Sequence, residues 1–173
     1  KQNGRLLMVG HIFRFHPVTL RLRSIFSQGS SKPKRIMGRY INPIDTDPGW
    51  NPSLDMLHYY DIIDFLFDGI SPQLVTSESQ GRVYKVSLRY PIFDALLTLG
   101  WSGNMRARTL DFFMGDKIIK ADFDARTIDI YQDNKVERLV CDTEIDPLTE
   151  ELKTFVALVR DRNSVINYTS GDI

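Results

Sequence analysis

Arg82-Val-Tyr-Lys-Val-Ser-Leu-Arg-Tyr90 is the stretch that decides the fold. Val83, Lys85, Ser87 and Arg89 alternate with Tyr84, Val86, Leu88 and Tyr90, so a strand here turns a wetter side one way and an apolar side the other. Comparable β-branched or aromatic runs recur at Leu74–Ser77, Phe93–Trp101, Arg106–Met114, Lys117–Phe123, Thr127–Tyr131 and Val136–Cys141. Between them stand Gly81, Pro91, Ser102-Gly103-Asn104, Gly115-Asp116, Asp124-Ala125 and Asp133-Asn134. Turn residues at such short intervals predict an antiparallel meander.

Upstream the pattern is mixed. Leu6–Val9, closed by Gly10, reads as a short buried strand. Pro17 suits the first turn of a helix whose apolar positions are Val18, Leu22, Ile25 and Phe26. Arg35–Ile41 reads as a strand, and residues 42–52, with three prolines and Gly49, as a long loop. A helix follows from Ser53 to Asp68. After the meander, Asp146 and Pro147 supply an N-cap and an N1 proline for a last helix, with Leu148, Leu152, Phe155, Val156 and Val159 as its expected buried stripe. The fold class is therefore α+β: a mostly antiparallel, open-faced β-sheet with helices packed on one face.

Composition excludes several functions. The 22 basic and 22 acidic residues among 173 cancel, so no global field draws the chain to nucleic acid or to an anionic membrane. No apolar run approaches the roughly 18 residues that a membrane span needs. A single cysteine, Cys141, rules out an internal disulfide framework, suits a reducing compartment and so predicts a cytoplasmic protein. Its neighbours Leu139 and Val140 make it a small buried apolar residue rather than a nucleophile. No Cys/His metal cluster, glycine-rich nucleotide loop or nucleophile elbow is present, so no metal and no cofactor site is expected here.

The chemistry concentrates in Asp55-Met-Leu-His58-Tyr-Tyr-Asp61-Ile-Ile-Asp64. Helical spacing stacks Leu54, Leu57, His58, Asp61 and Phe65 along one stripe, with Asp55 beside it. Ionisable groups on a helix that is apolar nearly all round are costly unless paired, and they cluster at functional sites as well as in structural networks. Both readings of this helix stand on the residues alone.

Five segments, in order, resemble the C-terminal half of the Gfo/Idh/MocA (glucose–fructose oxidoreductase / inositol dehydrogenase / rhizopine-catabolism) family. They are Val9–Pro17 with its Arg14-Phe15-His16-Pro17, the Gly38-Arg39 strand, the Asp55–Gly69 helix, Leu99-Gly100-Trp101, and Glu144–Phe155. The resemblance implies a two-domain NAD(P)-dependent oxidoreductase. Residues 1–16 would be the last edge of an N-terminal Rossmann domain, and 17–173 the domain for substrate binding and oligomerisation. NAD or NADP would serve the full-length protein, with none bound to this part, which would be inert alone. A sugar or polyol would exchange hydride with the nicotinamide, and His58 would be the catalytic residue that handles the hydroxyl proton. Asp61 matches the family's second aspartate. The first aspartate falls on Leu54, which leaves Asp55 as its shifted stand-in or as a helix cap. Arg14, Arg39 and Trp101 complete the expected substrate-binding set, each with a structural alternative: a salt bridge for either arginine, core packing for Trp101. A homo-oligomer, dimer or tetramer, through the uncovered sheet face is expected. A non-catalytic relative, serving as a ligand-sensing or protein-binding module, is the competing class.

Overall fold

A computed structural model describes residues 8–29, 31–43 and 52–160, without the side chains of 52–56. Its elements run from a 3-10 turn (Ile12–Phe15) through α1 (Pro17–Gln28), β1 (Arg35–Asn42) and α2 (Pro52–Leu66) to seven consecutive strands and a last helix. The strands are β2 (Gln73–Gln80), β3 (Val83–Arg89), β4 (Asp94–Trp101), β5 (Ala107–Phe113), β6 (Lys117–Asp122), β7 (Thr127–Gln132) and β8 (Lys135–Val140); the helix is α3 (Pro147–Arg160).

All seven expected strands of the later chain form, and the α+β class stands. The sheet, however, is not a plain meander. Its order is β2-β3-β4-β1-β5-β6-β7-β8, with β1 inserted parallel to β4 and antiparallel to β5. Ile36, Gly38 and Tyr40 put β1's alternate positions on the same side as Leu97, Leu99, Leu110 and Phe112, and these residues form the core with Val18, Leu22, Tyr59, Ile62 and Ile63 of α1 and α2. The helices thus lie on one face of the sheet.

Gly38 is what lets α2 sit so close. A Cβ there would meet Leu97 Cδ2 at 2.7 Å, Tyr59 Cδ2 at 2.9 Å and Leu110 Cδ2 at 3.0 Å. Gly100 has φ +137°, and a Cβ would lie 2.0 Å from the Arg82 carbonyl oxygen, so only glycine fits where β4 bends beside β3.

Two expectations fail. Met8 and Val9 carry no strand, the rest of Leu6–Val9 lying outside the described residues. In α3 the expected stripe is turned outward: Leu152 is 55% and Val159 50% exposed, with Leu148 and Val156 also exposed. The helix instead buries Glu151 and Leu158, seven residues apart on one face, with α3 packed against the 3-10 turn. Periodicity identified an apolar stripe but not the face that meets the rest of the fold.

The other face of the sheet is open. Met37 stands opposite Leu96 on one side and Asp111 on the other, and the row continues through Lys120, Asp129 and Arg138. Arg138 donates to both Asp129 carboxylate oxygens at 2.7 Å. This face carries a charge ladder that begins beside exposed Met37 and Leu96.

Candidate functional site

His58 lies on α2 at the rim of the helix layer. Its half-buried ring sits 4.8 Å from Phe13 of the 3-10 turn and 5.8 Å from Tyr40 of β1. The next residue, Tyr59, points into the core and is wholly buried. Its hydroxyl reaches two backbone carbonyl oxygens of the paired strands β1 and β5, those of Arg39 at 2.8 Å and Thr109 at 3.0 Å. Burial raises the Tyr59 pKa well above the phenol range, so this hydroxyl stays a donor.

One turn further along α2, Asp61 is buried and engaged with the 3-10 turn. Arg14 donates to Asp61 Oδ1 from Nε at 2.8 Å and from Nη2 at 2.6 Å, and His11 Nδ1 lies 3.2 Å from the same oxygen. Arg14 is also 3.7 Å from Asp64. These contacts tie α2 to the turn through Arg14 and His11. Glu151 of α3 closes the group from another side, next to Gly10: its Oε1 is buried without a hydrogen-bond partner, and burial raises its pKa.

Of the other expected site residues, Trp101 is buried at the end of β4, in register with Asn42 of β1. Arg39 alternates with Tyr40 and therefore lies on the opposite face of the sheet from His58, where its Nη2 is 3.5 Å from Met105 Sδ. Asp55 belongs to α2, but its side chain lies outside the described residues. The structure thus brings Arg14, Asp61 and His58 to one end of the helix layer and leaves Arg39 away from them.

Three further residues complete this end. His16 caps α1, its Nδ1 accepting the Val18 N–H at 3.3 Å, and its ring packs against Phe13 and Phe123. Burial, with Arg126 and Arg108 nearby, lowers its pKa to about 4. Arg108 of β5 stands opposite Tyr40 and lays its guanidinium 5.0 Å from the Tyr40 ring centre. Asn42 Oδ1 accepts from Arg108 Nη2 at 3.2 Å. A sequence signal existed for Arg108: Arg108, Leu110 and Phe112 alternate, so a strand that buries the last two buries the arginine as well.

Chemically this end offers an imidazole in contact with two aromatic rings, an arginine against one of them, and an ion-paired carboxylate one turn along the same helix. Among the described residues no group of three or more His, Cys, Asp or Glu side chains could hold a metal ion. The N-terminus of α1 is closed by its own His16 cap, so its first backbone N–H groups are not arranged to receive a phosphate. Cys141 is buried, which raises its thiol pKa and makes it a poor nucleophile.

No family model matches the chain, and no curated protein matches it. Solved structures do. The UDP-N-acetylglucosamine 3-dehydrogenase from Acidithiobacillus ferrooxidans superposes with a TM-score of 0.75 at 21% identity, over 96% of this chain and 56% of its own. A 3-ketoreductase from Actinomadura kijaniata, in complex with TDP-benzene and NADP, gives 0.76 at 18% over 92% and 54%. The aldose-aldose oxidoreductase from Caulobacter crescentus, complexed with glycerol, gives 0.77 at 14% over 92% and 55%. The chain spans little more than half the length of these structures. It has the open-sheet fold that these oxidoreductases carry, the fold implied by the resemblance to the Gfo/Idh/MocA family.

Proposed function

We propose that this chain is the substrate-binding part of an NAD(P)-dependent oxidoreductase that exchanges hydride with a sugar or polyol, and that it is inert without the cofactor-binding part. The observation that carries the reading is the placement of His58. On a fold shared with dehydrogenases and a ketoreductase, the helix position that the family resemblance marks as catalytic holds an imidazole at the rim of the helix layer, flanked by Phe13 and Tyr40. Oxidising a carbinol removes a hydroxyl proton as well as a hydride, and a neutral imidazole is suited to take it near neutral pH. The chain's share of the chemistry is then to orient the substrate over the aromatic rims and to hold that proton on His58.

A full-length protein assayed with NAD and NADP against a panel of sugars and polyols tests this. Reduction of cofactor with any of them, lost in His58→Asn, supports it. Absence of turnover with specific ligand binding retained would leave the non-catalytic module instead. We also propose that the outer sheet face pairs two copies, because Met37 and Leu96 are exposed beside a row of alternating charges, Asp111, Lys120, Asp129 and Arg138, that a second copy can complement. Sedimentation at tens of micromolar showing only monomer would refute the pairing.

A further inference from the structure

Among the described residues Arg108 shares its one nearby carboxylate, Asp124, with a second arginine. It projects from the helix-covered face of β5, the face on which Leu110 and Phe112 are wholly buried, and only 23% of its side chain is exposed. Its Nε is buried with no hydrogen-bond partner. The carboxylate within reach, Asp124, is committed elsewhere: Arg106 donates to its Oδ1 from Nε at 3.0 Å and from Nη2 at 2.8 Å, which leaves Arg108 Nη1 at 3.9 Å, beyond hydrogen-bond range. Among the described residues Arg108 makes one hydrogen bond, to a neutral amide, Asn42. Five donors on a mostly buried guanidinium with one hydrogen-bond acceptor, and a carboxylate shared with Arg106, leave hydrogen-bonding capacity that a bound anion would fill. The Tyr40 ring holds the guanidinium in place, and the same ring flanks His58.

We propose that Arg108 reads an anionic group on the substrate, a phosphate or a carboxylate, while the reacting carbinol lies at His58, which packs against the same Tyr40 ring. The proposal rests on the reading of His58 as marking the substrate site. It narrows the substrate from any sugar or polyol to one bearing a negative charge. Arginine suits the task because its planar fork meets either anion with two parallel hydrogen bonds, which a lysine cannot reproduce.

Calorimetric titration of the full-length protein tests this without turnover, so the result stands apart from whether hydride transfer is ever observed. The probes are inorganic pyrophosphate, glucuronate and glucose. The expected result is binding of pyrophosphate or glucuronate at least about tenfold tighter than glucose, weakened about 10- to 100-fold in Arg108→Met and less in Arg108→Lys. Pyrophosphate alone binding would assign a phosphate, glucuronate alone a carboxylate. Arg138→Met removes the same charge on the opposite face of the sheet and should leave these affinities unchanged. Thermal melting of Arg108→Met should stay close to that of the wild type, because the variant removes a buried Nε donor that has no partner along with one hydrogen bond and a long ion pair. Should Arg108→Met fail to fold, Arg108→Lys, which keeps the charge but not the fork, decides in its place. Anion affinity that survives in the folded variant within about twofold, or a wild type that binds neither anion better than glucose, overturns the proposal.

Discussion

His16 should make the protein acid-labile over a defined window, and the effect can be isolated by one substitution. In the folded chain its pKa is lowered to about 4 from 6.5, first by burial and then by Arg126 and Arg108. The sign follows from proton counting. Above about pH 6.5 neither the folded nor the unfolded chain protonates this ring, and its neutral form caps α1 at no cost. Between about pH 6.5 and 4 the unfolded chain binds a proton that the folded chain refuses, so stability falls as the pH falls, by up to about 1.4 kcal/mol per pH unit. Below about pH 4 both forms are protonated and the loss levels off. The full span is at most about 3 kcal/mol, and nearer 2 once the water that reaches the edge of the ring is allowed for.

His16→Asn keeps an acceptor for the Val18 N–H, asparagine being a strong N-cap, and removes the titration. It also shrinks the contact with Phe13 and Phe123, which adds an offset that does not vary with pH. Urea unfolding of wild type and variant across this pH range should give a stability difference that declines toward acid by about 2 kcal/mol, His11 and His58 cancelling because both proteins carry them. A difference that stays flat, or that grows in favour of the wild type toward acid, would refute the reasoning.

His58→Asn should lower kcat in the full-length enzyme by about 10²- to 10⁴-fold while moving the melting temperature little, as steady-state assays beside thermal melts would show. Gly38→Ala should destabilise by about 1–3 kcal/mol in urea unfolding, because its methyl group would press on Leu97, Tyr59 and Leu110 at once. Asp61→Asn should cost about 2 kcal/mol by removing the buried carboxylate that accepts two hydrogen bonds from Arg14, and hydrogen exchange should show the 3-10 turn loosening before the sheet does.

How much of this was legible depended on whether a residue's fate was decided locally. Alternation along Val83–Arg89 marked a half-buried strand because each residue's side follows from its neighbour's. The place of β1 was not legible, because Ile36, Gly38 and Tyr40 alternate in the same way whether the strand lies at an edge or in the centre. Only pairing with Ala95, Leu97 and Leu99 on one side and Leu110 and Phe112 on the other decides it. In α3 the periodicity was real, yet the buried face is the one with Glu151, a choice made by the 3-10 turn rather than by the helix. His58 and Asp61 stood out as ionisable groups on an apolar helix. Arg39 was attractive by resemblance, but its parity with Tyr40 sends it to the other face. Arg108 could have been found by that same parity rule, applied to Leu110 and Phe112.

The arrangement of α2 explains why the rim imidazole is held in one place. Adjacent residues on this helix serve different ends. Tyr59 runs into the core, and its hydroxyl bridges toward carbonyls of two neighbouring strands, which fixes the rotation of the helix about its axis. Asp61, one turn from His58, fixes the helix against the 3-10 turn through Arg14 and His11, and the same turn supplies Phe13 to the His58 ring. Gly38 sets the depth at which the helix can settle, because Tyr59 occupies the space a side chain there would need. Rotation, attachment and depth are thus determined by three residues that do not themselves need to touch a substrate. The cost of burying Asp61 is met by hydrogen bonds to a cation, which is the condition under which a charged group can serve as a positioning device rather than a liability. An imidazole placed by such constraints has little freedom left to lose when a substrate binds, and preorganisation of that kind is what catalysis by a single proton-handling residue requires.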